Sequence, residues 1–215
     1  MIRVVALFLL CALPASAQDF RGLLPGMPTS ALERIGEPLD RQTDDGFISA
    51  IYPLPFERTL GVMHADGEII ALTLAALPPT LLHPPPSDGF QVGVTRLSEA
   101  LALAGSEGYA FETAGTWQGL PPGGGFLSYT LADHPEVILT LAFFGHLDAD
   151  HDANDVTSLA DMPPHAILMS ATLFDQTSVT HYPMLADMQQ TPPPPEATPF
   201  ALPLAEAFPL TILPQ

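Results

Sequence analysis

Hydrophobic and polar positions alternate in several short stretches of the chain, and this period of two predicts β-strands. Three such stretches lie in the first part of the chain, at residues 47–52, 58–64 and 68–75. The last two are separated by Asp66-Gly67, a pair that favours a tight hairpin turn. The first part of the chain is therefore expected to form an antiparallel sheet.

A short helix is predicted before these strands, from Thr29 to Ile35, because Gly36 and Pro38 follow it as stop signals. A second helix is predicted from Thr95 to Ala104, ending at Gly105. Four more strands are then predicted, at residues 109–113, 126–131, 136–144 and 166–174. The order of a helix followed by strands thus occurs twice, which favours an internal repeat.

The expected fold is of the α+β class, with two tandem modules that each pack a short helix on an antiparallel sheet. Runs rich in proline divide the chain between and after the modules. The expected division is a signal peptide at 1–17, a first module at 18–77, a linker at 78–89, a second module at 90–188 and a tail at 189–215.

Three motifs of the first module carry a resemblance to known proteins: Gly26-Met27-Pro28-Thr29, Ile35-Gly36-Glu37-Pro38 and the turn Asp66-Gly67 leading into Glu68-Ile69-Ile70. The module resembles those of the beta-lactamase-inhibitor proteins and of the small outer-membrane lipoproteins of the SmpA/OmlA type. The resemblance implies tandem modules and binding to protein surfaces, and it assigns no binding residue to this chain.

The proline-rich tail is unusually apolar for a linker, since it includes Phe200, Leu204, Phe208 and Ile212. Prolines exclude a long helix, so the tail is expected to be extended. It either folds back over the module sheets or adds to the sheet edge of a partner.

The first residues predict export from the cytoplasm. Arg3 is followed by the apolar run Val4–Leu13 and by Ala15-Ser16-Ala17, which is the pattern of a cleaved signal peptide. The expected location is therefore periplasmic or secreted, with no transmembrane helix after cleavage. Cys11 is the only cysteine, so the mature protein is expected to lack disulfides and a catalytic thiolate.

The charge balance excludes several classes of partner and of chemistry. All six basic residues are arginines and the formal net charge is −18. The missing lysine excludes Schiff-base chemistry and a P-loop, and the negative field repels nucleic acids. No catalytic residues are identified, so the protein is predicted not to be an enzyme.

A loop at 146–155 contains the residue types that bind cations. Asp148, Asp150, His151 and Asp152 could ligate Ca²⁺ or a transition metal. Ala153 stands where an EF-hand loop requires glycine, and a solvated acidic loop is the alternative interpretation. A metal-binding envelope protein is accordingly the second hypothesis for function, with Ca²⁺ as its cofactor.

The first hypothesis is a non-enzymatic module that binds another envelope protein. Its candidate contact residues are aromatic, because Trp and Tyr dominate the strongest contacts of protein interfaces. They are Trp117, Tyr109 and Phe126. Burial in the core is the alternative for all three.

Overall fold

The structure, a computed structural model, describes residues 20–76, 89–113, 124–145, 156–178 and 193–208. Its strands are β1 (Asp40–Asp44), β2 (Phe47–Leu54), β3 (Arg58–Ala65), β4 (Glu68–Ala76), β5 (Ala110–Thr113), β6 (Gly124–Thr130), β7 (Val137–Phe144) and β8 (Ile167–Asp175). Its α-helices are α1 (Leu97–Ala104) and α2 (Leu204–Ala207), and 3-10 helices span Thr29–Ile35 and Leu159–Asp161. The helices and strands predicted from the sequence are confirmed, with ends that shift by a few residues.

Helix α1 begins and ends at residues suited to those positions. Glu99 accepts a hydrogen bond of 2.9 Å from the backbone N–H of Arg96, which precedes the helix. Gly105 follows the helix with φ of +72°, and its N–H donates to the carbonyl of Leu101. Glycine adopts this left-handed conformation without a steric penalty, so the helix stops there.

The eight strands form one antiparallel sheet in the order β1-β2-β3-β4-β8-β7-β6-β5. Strands β1–β4 form a meander, and so do strands β5–β8. The two meanders join where β4 pairs with β8, for example at Leu72 opposite Leu173.

The expected architecture of two tandem modules is wrong. β4 and β8 would each be an exposed sheet edge in separate modules, whereas pairing satisfies their backbone hydrogen-bonding groups. The pairing also makes the core continuous, since one buried cluster contains Leu72 of β4 and Leu139 of β7. The described part of the chain is mostly one sheet with a few short helices, and the expected repeat of separate modules is not supported.

The edge strand β1 was not predicted from the sequence. Its five residues are all polar and all exposed, so no apolar alternation marks it. The strand exists because its backbone pairs with β2, with Thr43 opposite Ile48.

One face of the sheet is covered by the helices and by both ends of the described chain. Phe20 and Leu23 lie there before the first helix and are fully buried. Ala100 and Ala104 of α1 are also buried in this cluster. We call this side the core face.

The tail folds back onto the core face, at least through residue 208. The backbone N–H of Phe200 donates to the carbonyl of Thr130 at 2.8 Å, and that of Phe90 donates to Ala207 at 2.6 Å. Phe208 stacks on Phe90, with ring centroids 5.4 Å apart. It also meets Phe20 edge to face at 5.2 Å. The tail is therefore part of the core, as the fold-back alternative predicted.

Replacing Phe208 with alanine tests the contribution of the tail. Because the ring is fully buried between two aromatic neighbours, we expect F208A to lower the free energy of unfolding by about 3–5 kcal/mol. Leu39, which is 68% exposed, provides the control, and L39A is expected to change stability by less than about 0.5 kcal/mol. Urea denaturation measures both, and equal midpoints for the two variants would contradict the buried tail.

Candidate functional site

The predicted metal loop at 146–155 lies outside the described residues, so Asp148, Asp150, His151 and Asp152 have no described geometry. Within the described ranges, no group of three or more His, Cys, Asp or Glu residues could hold a metal ion. The metal hypothesis therefore stays a prediction.

The three aromatic candidates do not form one surface among the described residues. Trp117 is outside the described residues. Tyr109 is half-buried and precedes β5, and burial, followed by the nearby charge of Glu112, raises the pKa of its hydroxyl to about 12. Phe126 is only 6% exposed and packs with Ala142 and Phe144. A partner role for these residues stays a prediction.

The sheet face opposite the core face has a composition that sets it apart. Side chains alternate between the faces of a strand, and the paired registers place the following outward residues side by side: Ser49, Ile51 and Pro53; Thr59, Gly61 and Met63; Ala71, Thr73 and Ala75; Ser170, Thr172 and Phe174; Ile138, Thr140 and Ala142; Phe126, Ser128 and Thr130. None is charged.

Exposure differs across this outward face. On β6 and β7, Ser128 and Thr140 are only 3% and 5% exposed. On β2, β3, β4 and β8 most outward side chains are partly or fully exposed. We call the exposed and partly exposed region on these four strands the open face. Its residues are Ser49, Ile51, Pro53, Thr59, Gly61, Met63, Thr73, Ala75, Ser170 and Thr172.

The centre of the open face lies on the seam between the two meanders. Thr73 of β4 and Thr172 of β8 face each other there, with hydroxyl oxygens 3.1 Å apart. Beside Thr73, Gly61 keeps the surface low because it has no side chain; a Cβ there would lie at an ordinary contact distance of 3.6 Å from the Thr73 carbonyl oxygen. The result is a surface of short hydroxyl and apolar groups, which a partner can approach closely.

Acidic residues lie at the two ends of the outward face. On β1, Asp40 is paired with Ile51 and Asp44 with Phe47. On β5, Glu112 is paired with Phe126. The uncharged surface is thus bordered by negative charge at both sheet edges.

A cleft lies on the core face near the β1 edge, between the first 3-10 helix and the sheet. Its volume is about 280 Å³. Polar side chains line it from both sides: Glu33 and Glu37 from the helical side, and Arg41, Tyr52 and His64 from β1, β2 and β3.

Burial and the Arg41 charge determine the ionisation of the cleft. Burial lowers the pKa of His64, which is 9% exposed, and the positive charge of Arg41 lowers it further. Burial also raises the pKa of Tyr52, partly offset by Arg41 and increased by Glu37. His64 and Tyr52 are therefore both neutral near pH 7.

The polar groups of the cleft lack partners within the described part of the chain. No hydrogen bond or ion pair joins the side chains of Arg41, Tyr52 and His64 to another described residue, and the same holds for the carboxylates of Glu33 and Glu37. These groups are available to a molecule that enters the cleft.

The sequence contains one signal for this cleft. His64 falls in phase with Leu60 and Val62, so the alternation of β3 places an imidazole on the core face. A titratable residue at a core position favours a polar site. Arg41 carries no such signal, because β1 is not marked by apolar alternation.

Comparisons with known proteins show no family for this chain. No protein-family model matches it, and no curated protein sequence matches it. Among solved structures, it is similar to a cysteine-rich secretory protein from Staphylococcus aureus, with 8% identity and a TM-score of 0.39 over 74% of this chain and 47% of that one. An extracellular protein with an SCP domain from Bacillus anthracis matches at 12% identity and a TM-score of 0.39, over 73% of this chain and 46% of that one.

The chain spans about half the length of these solved structures. Both are described as secretory or extracellular proteins. The resemblance to beta-lactamase-inhibitor proteins and SmpA/OmlA lipoproteins is wrong, because the described strands form one continuous sheet where two separate modules were expected.

None of the helices in the described ranges is long and apolar enough to cross a bilayer.

The lowered pKa of His64 predicts how stability depends on pH. An unfolded histidine titrates near a pKa of about 6.5, so between that value and the lower folded value the unfolded chain binds more protons. The contribution of His64 is therefore complete above about pH 6.5 and is lost as the pH falls. H64Q is expected to lose less unfolding free energy than the wild type between about pH 7.5 and about pH 5.5.

The control for this measurement is L39A, because Leu39 is 68% exposed and its side chain does not titrate. L39A is expected to keep the pH dependence of the wild type. Urea denaturation at both pH values measures the difference, and an H64Q variant with the wild-type dependence would show that His64 is not held neutral.

Proposed function

We propose that this protein is exported and functions by binding a second protein on its open face. The observation that carries the proposal is a partly exposed sheet surface without a charged side chain, in a chain whose net charge is −18. Solvent-facing strand positions in antiparallel sheets are usually polar. Depletion of charge in the centre of a surface is typical of protein interfaces.

The shape of the open face supports a protein partner. Strands β2, β3, β4 and β8 hold its side chains at fixed spacing, and most of them are short. A surface of short side chains on paired strands loses little conformational entropy on binding, because few flexible side chains become ordered. The exposed Ile51, at 40%, supplies an apolar contact at its border.

The charge distribution indicates the chemistry of the partner. Asp40 and Asp44 border the open face on the β1 side, and the whole chain is acidic. A partner with an uncharged centre and basic residues around it complements this arrangement. Nucleic acids are not proposed as partners, because their negatively charged phosphates are repelled by an acidic protein.

Export is supported by the sequence of residues 1–17, with its positive start, apolar run and Ala-Ser-Ala site. The proposed location is the periplasm or the cell exterior. Binding without catalysis is proposed because the sequence offers no catalytic constellation.

A photo-crosslinking residue at Thr73 tests the proposal in the exported fraction of the producing cell. We expect one protein to be crosslinked from this position and not from Ser98, which is exposed on α1.

That protein is then purified for affinity measurements. T73R is expected to weaken binding by at least about tenfold, since a long charged side chain would be buried in the interface.

S98R is the matched control, because it adds the same charge on the other side of the sheet, and it is expected to bind like the wild type. D40N and D44N are expected to lower the association rate and its dependence on salt. Equal affinity of T73R and S98R, with unchanged melting temperatures, would refute binding on the open face.

A further inference from the structure

The cleft beside β1 lies on the core face and is separate from the open face. The strands place three hydrogen-bonding groups along its floor: the guanidinium of Arg41, the hydroxyl of Tyr52 and the imidazole of His64. Arg41 is the only one of the three that carries a charge near pH 7, because burial holds the other two neutral. A planar guanidinium beside neutral donors suits a carboxylate.

The opposite wall of the cleft is acidic. Glu33 lies in the first 3-10 helix and Glu37 lies just after it, and both line the cleft. Two carboxylates repel an anion such as phosphate, and the single positive charge of Arg41 does not balance the negative charge of that anion. They favour an ammonium group in their vicinity.

Apolar residues complete the lining. Leu32, Ala50 and Pro38 line it, and Leu32 and Ala50 are 9% and 3% exposed. The volume of about 280 Å³ is below the range of most sites for drug-sized ligands, about 300–1,000 Å³. A ligand of this cleft is thus small and has an aliphatic part.

We propose that the cleft binds a small zwitterion of the apolar amino-acid class, with its carboxylate against Arg41 and Tyr52 and its ammonium group facing Glu33 and Glu37. The aliphatic side chain contacts Leu32 and Ala50. His64 donates a hydrogen bond to the carboxylate from its neutral imidazole.

Three probes of similar shape separate the charge requirements. Leucine carries both groups, 4-methylpentanoate carries only the carboxylate, and 3-methylbutylamine carries only the amine. Calorimetric titration of the mature protein is expected to detect leucine binding below about 10 mM, and to find each single-charge probe at least about tenfold weaker.

Variants that remove one charge then test the role of each wall of the cleft separately. R41Q is expected to weaken leucine binding at least about tenfold. The matched control is R34Q, because Arg34 lies in the same 3-10 helix, points its guanidinium at the Gly22 carbonyl and does not line the cleft. E37Q is expected to weaken leucine binding and to leave 4-methylpentanoate binding unchanged or stronger.

Failure of all three probes to bind, with a folded protein by circular dichroism, would overturn the proposal. Equal affinity for leucine and 4-methylpentanoate would overturn the zwitterion requirement, and equal binding by R41Q and R34Q would overturn the role of Arg41. The outcome does not depend on the protein partner of the open face, because T73R alters the other side of the sheet.

Discussion

The pairing of β4 with β8 is the interaction on which the rest of the structure depends. It joins residues that are far apart in sequence, as Thr73 and Thr172 show with a separation of 99 positions. Without this pairing, β4 and β8 would each be an exposed sheet edge, and the apolar residues of each meander would lose their neighbours from the other. With it, the backbone groups of both strands are satisfied, and the apolar residues of both halves form one cluster.

This continuous sheet has two faces with different physical roles. The core face is covered by helices, by the start of the described chain and by the tail, so it supplies most of the hydrophobic stabilisation. The outward face adds two smaller buried clusters, one with Phe174 and one with Phe126, and a partly exposed region of small, hydroxylated or apolar residues. Where the covering of the core face ends, near β1, the polar cleft begins. The cleft thus follows from where this covering ends, whereas the open face lies on the opposite side of the sheet.

Local pattern in the sequence predicted the elements but not their assembly. Strands such as β3 and β4 were predicted because their apolar alternation is a local property. The pairing of β4 with β8 could not be predicted from the sequence, because the apolar pattern of a strand does not show which strand lies beside it. Arg41 was missed for a related reason, since β1 is held by backbone pairing alone. His64 could be suspected, because it occupies a core phase in β3.

The aromatic cluster of Phe20, Phe90 and Phe208 brings both ends of the described chain into one core, with the first and last rings 5.2 Å apart. A chain that emerges from its N-terminus onward therefore exposes part of its hydrophobic core until residues 200–208 arrive. A product cut short before Phe200 would leave Phe90 and Tyr129 without the rings that cover them. Such surfaces are what chaperones and proteases recognise, so the fold itself distinguishes a chain that includes this segment from a fragment that lacks it.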